Sequence, residues 1–327
     1  MDQSLRARAR GAMYGQIIGD NLGAIVEFSS PAQIRSRFPD GVRELTGGGP
    51  FNVAPGQATD DSELALALAR SMVRCGGYEE KDVFESYVRW AASFPPDIGN
   101  TCAAALRPPF EPNSASKSNG ALMRVSPIAI AYAHDPQLAG DHARTDARLT
   151  HPNEYPVAVN GMYCEALART ISGEDPREAL LAAAGDEAST IREFMQYLPV
   201  DVYSHRMGYV QFAWNIVCYF VANGSSFEED LVAIVGMGGD TDTNAAIAGA
   251  FLGAVYGEDG IPRRWRHIID AYSTHKANRP EEFSVEGALD LVDALLASVP
   301  KHATPFSRPG LLSPPPAGIA SFVTRTR

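Results

Sequence analysis

The chain has 327 residues, 45% of them hydrophobic, which is enough to fill a sizeable core in one large domain or two small ones. Its 28 basic and 39 acidic residues give a formal net charge of −11 at pH 7, and this acidic balance argues against nucleic acid or an anionic membrane as a partner. Because no apolar run approaches the roughly 18 residues of a spanning helix and no signal-type apolar segment follows the charged N-terminus, we expect neither secretion nor a membrane span.

Helical periodicity dominates the predicted elements. Stretches rich in Ala, Leu and Arg place apolar residues at helical spacing, whereas strict alternation of apolar and polar residues is scarce. In chain order, the helical stretches are 63–73, 82–94, 157–171, 177–184, 208–222 and 285–298. The short apolar run 231–235 could also be a buried strand, since periodicity alone does not separate strand from helix at that length. The sequence therefore predicts an all-α fold.

Loops are predicted where Gly, Pro, Ser and Asn concentrate, at residues 46–58 and 107–120 and from Lys301 onwards. No linker divides the body of the chain, so residues 1–300 are predicted to form a single domain. Residues 301–327 are rich in proline, and we expect them to be a flexible or peripheral tail outside the core.

The cysteines bear on the compartment. They are scattered along the chain and form no Cys-x-x-Cys pair: Cys75, Cys102, Cys164 and Cys218. This pattern fits reduced thiols better than a disulfide framework, so we predict a cytoplasmic protein.

Two series of glycines recur at i+4 spacing: Gly11, Gly15, Gly19 and Gly23, and later Gly249, Gly253 and Gly257. Each series forms a stripe without side chains on one face of a helix. A glycine inside a helix costs about 1 kcal/mol relative to alanine, so these glycines indicate close approach of a neighbouring helix or a ligand. Tight core packing explains any single stripe. Together, however, helices packed through such faces can bring six carboxylates into one pocket: Asp20, Glu27, Asp60, Asp61, Asp240 and Asp242.

Two short acidic clusters, residues 59–62 and 240–243, lie about 180 residues apart, each at the start of a helix-like run. Their carboxylates and hydroxyls, with no Cys or paired His nearby, suit Mg²⁺ or Mn²⁺ better than zinc. The pattern therefore predicts a divided metal site. An alternative interpretation is helix capping, because Thr59 or Asp60 is a good N-cap, Asp60 and Glu63 have capping-box spacing, and early carboxylates favour the helix dipole.

Two other kinds of site compete for the second cluster. An EF-hand would place ligands at Asp240, Asp242 and Asn244, but it requires glycine where the chain has Ala245 and glutamate where it has Phe251. An Asp-x-Asp phosphotransferase nucleophile, as in haloacid-dehalogenase-like enzymes, would require alternating strands and helices, which the sequence does not indicate.

A set of motifs in a fixed order points to a family. They are residues 19–24 with Glu27, 47–50, 55–56, 59–62, 97–101, 118–125, 150–152, 208–210 and 238–243, followed by Gly249 and Gly253. In these motifs the chain resembles the ADP-ribosylglycohydrolase family, which includes dinitrogenase-reductase-activating glycohydrolases and ADP-ribosyl-arginine and ADP-ribosyl-serine hydrolases. The resemblance spans about residues 11–257.

The resemblance implies a compact all-helical fold with a dinuclear Mg²⁺ or Mn²⁺ centre in a central cleft. It also implies cleavage of the bond between the ribose anomeric carbon and a modified side chain. The metal ligands it implies are Thr59, Asp60, Asp61, Asp240, Asp242 and Thr243. Ser62 stands where the family often has threonine, and it retains a hydroxyl.

The resemblance implies catalytic roles for three carboxylates. Glu27 matches an acidic residue near the metals that activates water or switches between metal and substrate. Asp97 matches a carboxylate near the reactive ribose, where it transfers a proton or holds a guanidinium leaving group. Asp61 is expected to contribute to catalysis as a ligand.

The substrate contacts each have a structural alternative. Ser118, Asn119 and Gly120 precede an apolar helix, so they either cap it or bind a diphosphate at its N-terminus. His151, taken alone, is expected to be an exposed loop residue, whereas the resemblance places it near the distal ribose or the phosphates. Tyr209 either stacks on adenine or belongs to an aromatic core. Residues 47–49 could cradle phosphate, although a glycine-rich segment without lysine is usually only a loop.

From these observations we expect a metal-dependent hydrolase that acts on an ADP-ribosylated protein, most of all on ADP-ribosyl-arginine, and releases ADP-ribose. The alternatives are an enzyme for O-linked ADP-ribose on serine or threonine, one for an ADP-ribosylated small molecule, a catalytically silent ADP-ribose-binding homologue, and a two-metal phosphohydrolase that releases AMP.

Overall fold

Helices make up the regular structure of residues 2–273 and 279–298, the part of the chain that the computed structural model describes. In those ranges the α-helices are α1 (Gln3–Ala24), α2 (Pro31–Arg37), α3 (Asp60–Cys75), α4 (Glu80–Ala92), α5 (Asn100–Leu106), α6 (Ser126–Ala131), α7 (Pro136–Arg148), α8 (Glu154–Ser172), α9 (Pro176–Ala184), α10 (Ala188–Gln196), α11 (Val210–Asn223), α12 (Phe227–Val235), α13 (Thr241–Gly260), α14 (Arg263–Asp270) and α15 (Ala288–Ser298). The β-type pairings there are two isolated bridges, Gly48 with Val53 and Ser118 with Tyr209. The all-α prediction is confirmed.

The predicted helical stretches lie in α3, α4, α8, α9, α11 and α15, and differences are confined to their ends. The stretch 82–94 runs past the end of α4, because Phe94 has a left-handed backbone (φ +54°) and two prolines follow it. The ambiguous run 231–235 forms the end of α12, which removes the strand that a haloacid-dehalogenase-like site would need. The tail 301–327 lies outside the described residues, and the single domain 1–300 stays a prediction.

Helices α1 and α13 form the centre of the fold and run antiparallel, in contact through their glycine stripes. A Cβ atom on Gly15 would overlap the carbonyl group of Gly249, and one on Gly11 would overlap the carbonyl oxygen of Gly253. The predicted close approach of two backbones is therefore present. Gly257 has a φ of +69° and interrupts the regular helix near the end of α13.

This packing fixes where the acidic clusters lie. The C-terminal end of α1 reaches the N-terminus of α13, where Thr241 donates a 2.7 Å hydrogen bond from its hydroxyl to the carbonyl oxygen of Gly23. A Cβ atom on Gly23 would overlap the backbone of Asp242. The first turns of α3 and α13 thus meet at one end of α1, so the two clusters come together although they are far apart in the chain.

Replacing Gly15 by alanine tests this packing. The new methyl group has to push α1 and α13 apart, because the atoms in its way belong to the backbone. We expect the free energy of unfolding to fall by roughly 1–3 kcal/mol, although alanine favours a helix over glycine by about 1 kcal/mol. Urea denaturation followed by circular dichroism measures the loss. Gly99→Ala is the matched control, since a Cβ atom there meets nothing within 4 Å and its φ is −59°; equal stability of the two variants would contradict the packing argument.

A buried ion pair fixes the segment 118–125 beside this centre. Arg124 and Asp146 are both fully buried, and Arg124 Nε donates a 2.8 Å hydrogen bond to Asp146 Oδ2. The guanidinium group lies over the ring of Tyr87 at 4.4 Å, and the Tyr87 hydroxyl donates to the other oxygen of Asp146. Arg124 also donates to the carbonyl oxygen of Gly120. The position of the Ser118–Gly120 segment therefore depends on the core.

Two further sequence expectations concern cysteines and membranes. All four cysteines are free thiols, Cys75 exposed and the other three buried. Within the described residues, no helix has both the length and the apolar character that crossing a membrane requires.

Candidate metal centre

Carboxylates from five parts of the fold converge on one site. Asp20 comes from the end of α1, and Glu27 from the turn after it. Asp60 and Asp61 lie in the first turn of α3, and Asp97 lies in the segment before α5. Asp240 and Asp242 come from the start of α13. Glu27, Asp97 and Asp242 each place a carboxylate oxygen within 4.8 Å of the other two. The structure thus brings together the two acidic clusters that the sequence shows separately.

The prediction of side-chain capping at the first cluster is wrong, although Asp60, Asp61 and Glu63 do lie in the first turn of α3, where they favour the helix dipole. Thr59 occupies the N-cap position of α3, but its side chain makes no capping hydrogen bond. The carboxylate of Asp20 accepts hydrogen bonds from the backbone N–H groups of Thr59 and Ser62, at 3.1 Å each. These are the two donors that a capping box would satisfy. Glu63 bonds instead to Arg279 and to the indole of Trp90.

Because α1 supplies this cap, the polar groups of α3 are available to the site. The hydroxyl oxygen of Thr59 lies 2.9 Å from Asp20 Oδ1 and 3.0 Å from Asp61 Oδ2. Asp61 and Asp60 are buried among the other carboxylates. Asp20 was one of the six carboxylates expected in the pocket, but the sequence assigned it no role.

The second cluster shows the same absence of side-chain capping. Asp240 occupies the N-cap position of α13 and makes no capping hydrogen bond. Its Oδ2 accepts a 2.8 Å hydrogen bond from the side-chain amide of Asn119. Thr243 is buried beside it in the first turn, and its backbone N–H donates to Asp242 Oδ1 at 2.9 Å. The carboxylates of both clusters therefore face the site.

Burial and mutual repulsion hold protons on this cluster. Burial, followed by the charges of Asp97 and Asp240, raises the pKa of Glu27 to about 9. Burial raises the pKa of Asp20 to about 6, against the hydrogen bonds from α3 that lower it. Burial and neighbouring carboxylates also raise the pKa values of Asp61 and Asp242 well above the ordinary aspartate value. In the metal-free protein the cluster is therefore electrostatically unfavourable when fully ionised.

The donor set fits a hard divalent cation. Glu27 Oε2 and Asp61 Oδ1 are buried, and no described residue donates a hydrogen bond to them. Buried carboxylate oxygens normally have a partner, and these two face a cluster whose side chains offer oxygen donors. Such a set suits Mg²⁺ or Mn²⁺. A cation there would offset the repulsion among the carboxylates.

Removing divalent metal should make the stability of the protein depend on pH. Glu27 keeps its proton in the folded, metal-free protein up to about pH 9, whereas an unfolded glutamate loses it near 4.5. Between these values the folded state binds more protons than the unfolded state, so the free energy of unfolding falls as pH rises. Added Mn²⁺ should remove this penalty. The difference between the melting temperatures with Mn²⁺ and with EDTA should therefore widen from about pH 5 to about pH 8; a constant difference would speak against a cation at the carboxylates.

The segment with Ser118, Asn119 and Gly120 lies next to the second cluster. The backbone N–H of Asn119 donates to the carbonyl oxygen of Gly208 at 3.0 Å, and its side chain reaches Asp240. Asn119 therefore contacts a carboxylate of the candidate metal centre instead of capping a helix through its side chain. Ser118 Oγ lies within hydrogen-bond distance of the hydroxyls of Ser116 and Thr101. These two hydroxyls, which the sequence did not single out, extend the polar surface beside the carboxylates.

His151 is fully buried, so the expectation of an exposed loop histidine is wrong. Its Nε2 lies 2.9 Å from Ser118 Oγ, and its Nδ1 lies 2.8 Å from Thr150 Oγ1. Burial lowers the pKa of His151 to about 3, so the ring is neutral at pH 7. With both nitrogens engaged, the ring holds Ser118 in place. The proline that follows and the loop-like sequence gave no sign of this burial.

Tyr209 and the glycine-rich loop are the weaker sequence candidates. Tyr209 is half-buried just before α11, and its ring centre lies 6.4 Å from that of Phe212. Gly48 and Val53 exchange two backbone hydrogen bonds of 2.8 and 3.0 Å, which close a tight turn and use the N–H of Gly48. The structure thus favours the loop interpretation for residues 47–49.

Comparison with known proteins agrees with this fold. A sequence model of the ADP-ribosylglycohydrolase family matches residues 1–301. The chain belongs to the ADP-ribosylglycohydrolase family. A relative of that family, the ADP-ribosyl-dinitrogen reductase glycohydrolase of Rhodospirillum rubrum, is 31% identical over 304 residues, covering 90% of this chain and 97% of the relative. The ADP-ribosylarginine hydrolase Tri1 of Pseudomonas putida is 28% identical and covers 88% of this chain and 81% of its own length.

A solved structure shares both fold and sequence with the chain. It is described as an ADP-ribosylglycohydrolase-related protein complex, and it superposes with a TM-score of 0.71 at 31% identity. The match covers 90% of this chain and 99% of that one. The ADP-ribosylglycohydrolase fold and the family resemblance expected from the motifs are confirmed.

Proposed function

We propose that the protein is a metal-dependent hydrolase that cleaves the ribosyl–side-chain bond of an ADP-ribosylated protein and releases ADP-ribose. The observation that supports it most is the convergence of the two acidic clusters with buried, unpartnered oxygens at Glu27 and Asp61. Membership of the ADP-ribosylglycohydrolase family supplies the reaction class.

The proposed metal ligands are the side chains of the two clusters: Thr59, Asp60, Asp61, Asp240, Asp242 and Thr243. Two Mg²⁺ or Mn²⁺ ions would orient the ribose hydroxyls and lower the pKa of the attacking water. Asn119 and Asp20 orient the ligands by hydrogen bonds to Asp240 and to the first turn of α3. Such outer contacts hold carboxylates in the geometry that a metal needs.

The reaction breaks the bond from the ribose anomeric carbon to the side chain and forms a bond from that carbon to a water oxygen. Positive charge develops on the ribose as the bond lengthens, and the surrounding carboxylates stabilise it. Glu27 is proposed as the base that accepts the proton of the water, because its carboxylate lies within 4.8 Å of Asp97 and Asp242 in the same site. A cation held by the neighbouring carboxylates would let Glu27 lose its own proton and act in this way. Asp97 is partly exposed, so it can contact the leaving group and return a proton to it.

Arginine is the proposed linkage. A guanidinium leaving group is a cation, and a site with seven converging carboxylates favours a cation over a neutral hydroxyl leaving group. The Pseudomonas putida relative is named for ADP-ribosylarginine. The serine or threonine linkage would place a neutral hydroxyl against Asp97, where it gains less from the charge.

The Ser118–Gly120 segment and His151 are proposed to bind the diphosphate side of the substrate, with Tyr209 next to the adenine. Ser118 offers a hydroxyl whose position His151 fixes, and Ser116 and Thr101 add further hydroxyls. Backbone and hydroxyl donors can bind a diphosphate without lysine or arginine, which suits a protein with this acidic balance.

One assay tests the proposal. Peptides ADP-ribosylated on arginine, serine or threonine are incubated with the protein in Mg²⁺ or in EDTA, and the products are identified by mass. Free ADP-ribose that disappears in EDTA, released fastest from the arginine peptide, is the expected result. AMP as product would indicate a phosphohydrolase, and tight binding without turnover would indicate a silent binding homologue.

A further inference from the structure

Two exposed phenylalanines flank the candidate metal centre. Phe28 follows Glu27 directly and is 49% exposed, and Phe94 precedes Asp97 by three residues and is 88% exposed. A carboxylate oxygen of Glu27 lies within 4.8 Å of one of Asp97. Three residues span at most roughly 11 Å. The backbones of both phenylalanines therefore lie close to the carboxylates.

The backbone at both positions has a conformation that phenylalanine rarely adopts. The φ angles are +61° at Phe28 and +54° at Phe94, in the left-handed region. Strain of this kind persists only where the surroundings enforce it, and it concentrates at functional sites. An exposed ring on a strained backbone contributes little to folding, so the structural role of these rings is small.

Neither phenylalanine is on a loosely held segment. The N–H of Phe28 donates a 2.8 Å hydrogen bond to the carbonyl oxygen of Gly239, which directly precedes Asp240. One edge of its ring packs against Phe51, with 6.4 Å between the ring centres. The carbonyl oxygen of Ser93, next to Phe94, accepts a 2.9 Å hydrogen bond from Arg279, which also pairs with the buried Glu63. Both rings are thus presented to solvent by fixed backbone.

We propose that Phe28 and Phe94 contact the polypeptide that carries the ADP-ribose, on either side of the modified side chain. The inference rests on the proposed function, because a modified side chain held at Glu27 and Asp97 places its own backbone at the entrance between these residues. Aromatic residues beside a polar site are common anchors for a protein partner. The two phenylalanines would then distinguish a modified protein from a free modified amino acid, which lacks the flanking residues.

Kinetics with two substrates of the same linkage test this inference: a protein ADP-ribosylated on arginine, and free ADP-ribosyl-arginine. Phe94→Ala and Phe28→Ala keep a Cβ atom, so they remove the ring without relieving the backbone. We expect each to raise KM for the protein by about tenfold with little change in kcat, and to leave turnover of the amino acid within about twofold. Phe94→Tyr should restore the wild-type KM, because the aromatic ring is kept.

Tyr197→Ala is the matched control, since Tyr197 is an aromatic residue that is 65% exposed and directly follows α10, outside the segments that carry the carboxylates. This variant should change neither KM nor kcat for either substrate. If Phe28→Ala and Phe94→Ala lowered kcat/KM equally for both substrates, the inference would be overturned, because the rings would then act on the nucleotide or on catalysis. Unchanged kinetics with both would overturn it too. If the wild-type protein releases ADP-ribose from neither substrate, the proposed function fails and this inference fails with it.

Discussion

Replacing Asp61 by asparagine should reduce ADP-ribose release by about a thousandfold or more, while the metal-free protein stays at least as stable as wild type. Asp61 is fully buried, its Oδ1 has no hydrogen-bond donor among the described residues, and its other oxygen accepts from Thr59. Asparagine keeps the shape and can still accept that hydrogen bond, but it removes the charge that a cation needs.

The sign of the stability change follows from the pKa of Asp61. Burial and the charges of Asp20 and Asp240 raise this pKa well above that of an unfolded aspartate. In the absence of metal, the free energy of unfolding therefore falls once the pH exceeds the pKa of the unfolded aspartate. Asparagine does not ionise, so Asp61→Asn avoids this loss at neutral pH. Mn²⁺ should raise the melting temperature of the wild type and have little effect on Asp61→Asn.

An aspartate that does cap a helix provides the control. Asp175 is exposed at the start of α9, and its side chain accepts hydrogen bonds from the backbone N–H groups of Arg177 and Glu178. Asp175→Ala should lower the free energy of unfolding by about 1 kcal/mol and leave turnover unchanged. If Asp61→Asn instead behaves like Asp175→Ala, with lost stability and normal turnover, Asp61 is a structural residue and not a metal ligand.

The parts of the fold that the sequence predicts are those encoded by local periodicity. Helical spacing identified α4 and α9 because each buries one face, at Val83, Tyr87 and Trp90 in the first and at Ala179, Leu180 and Ala183 in the second. The glycine stripes predicted the contact of α1 with α13, since Gly15 and Gly249 have no reason to recur in helices unless backbones meet there. The run 231–235 was ambiguous because it covers barely more than one helical turn.

What the sequence could not provide are contacts between distant segments. Capping of α3 by Asp20 joins residues about 40 positions apart, so a rule that looks for the cap beside the helix assigns it to Thr59 or Asp60. The burial of His151 depends on Ser118 and on the core that positions it. In both cases the sequence gives the residue type, but it does not show which distant residues surround Asp20 and His151 in the fold.

Asp20 should prove to be a positioning residue whose loss weakens metal binding without removing a ligand. Both of its oxygens accept hydrogen bonds from the backbone of α3, through the N–H groups of Thr59 and Ser62. Asp20→Ala leaves these buried donors unsatisfied, at roughly 1–3 kcal/mol for each. It also frees the first turn of α3, and with it Asp60 and Asp61, to move.

We therefore expect the Kd for Mn²⁺ to rise by about 10- to 100-fold in Asp20→Ala, measured by calorimetry on the metal-depleted protein. The Kd of Asp20→Asn for Mn²⁺ should lie between those of Asp20→Ala and wild type. Its amide oxygen can still accept a hydrogen bond from the N–H of Ser62, but its amide nitrogen cannot accept one from Thr59. At saturating Mn²⁺, the kcat of Asp20→Ala should recover substantially. The kcat of Asp61→Asn should not, because that variant lacks a metal ligand. Wild-type Mn²⁺ affinity in a destabilised Asp20→Ala protein would show that Asp20 serves folding alone, and complete loss of Mn²⁺ binding would show that it is a ligand itself.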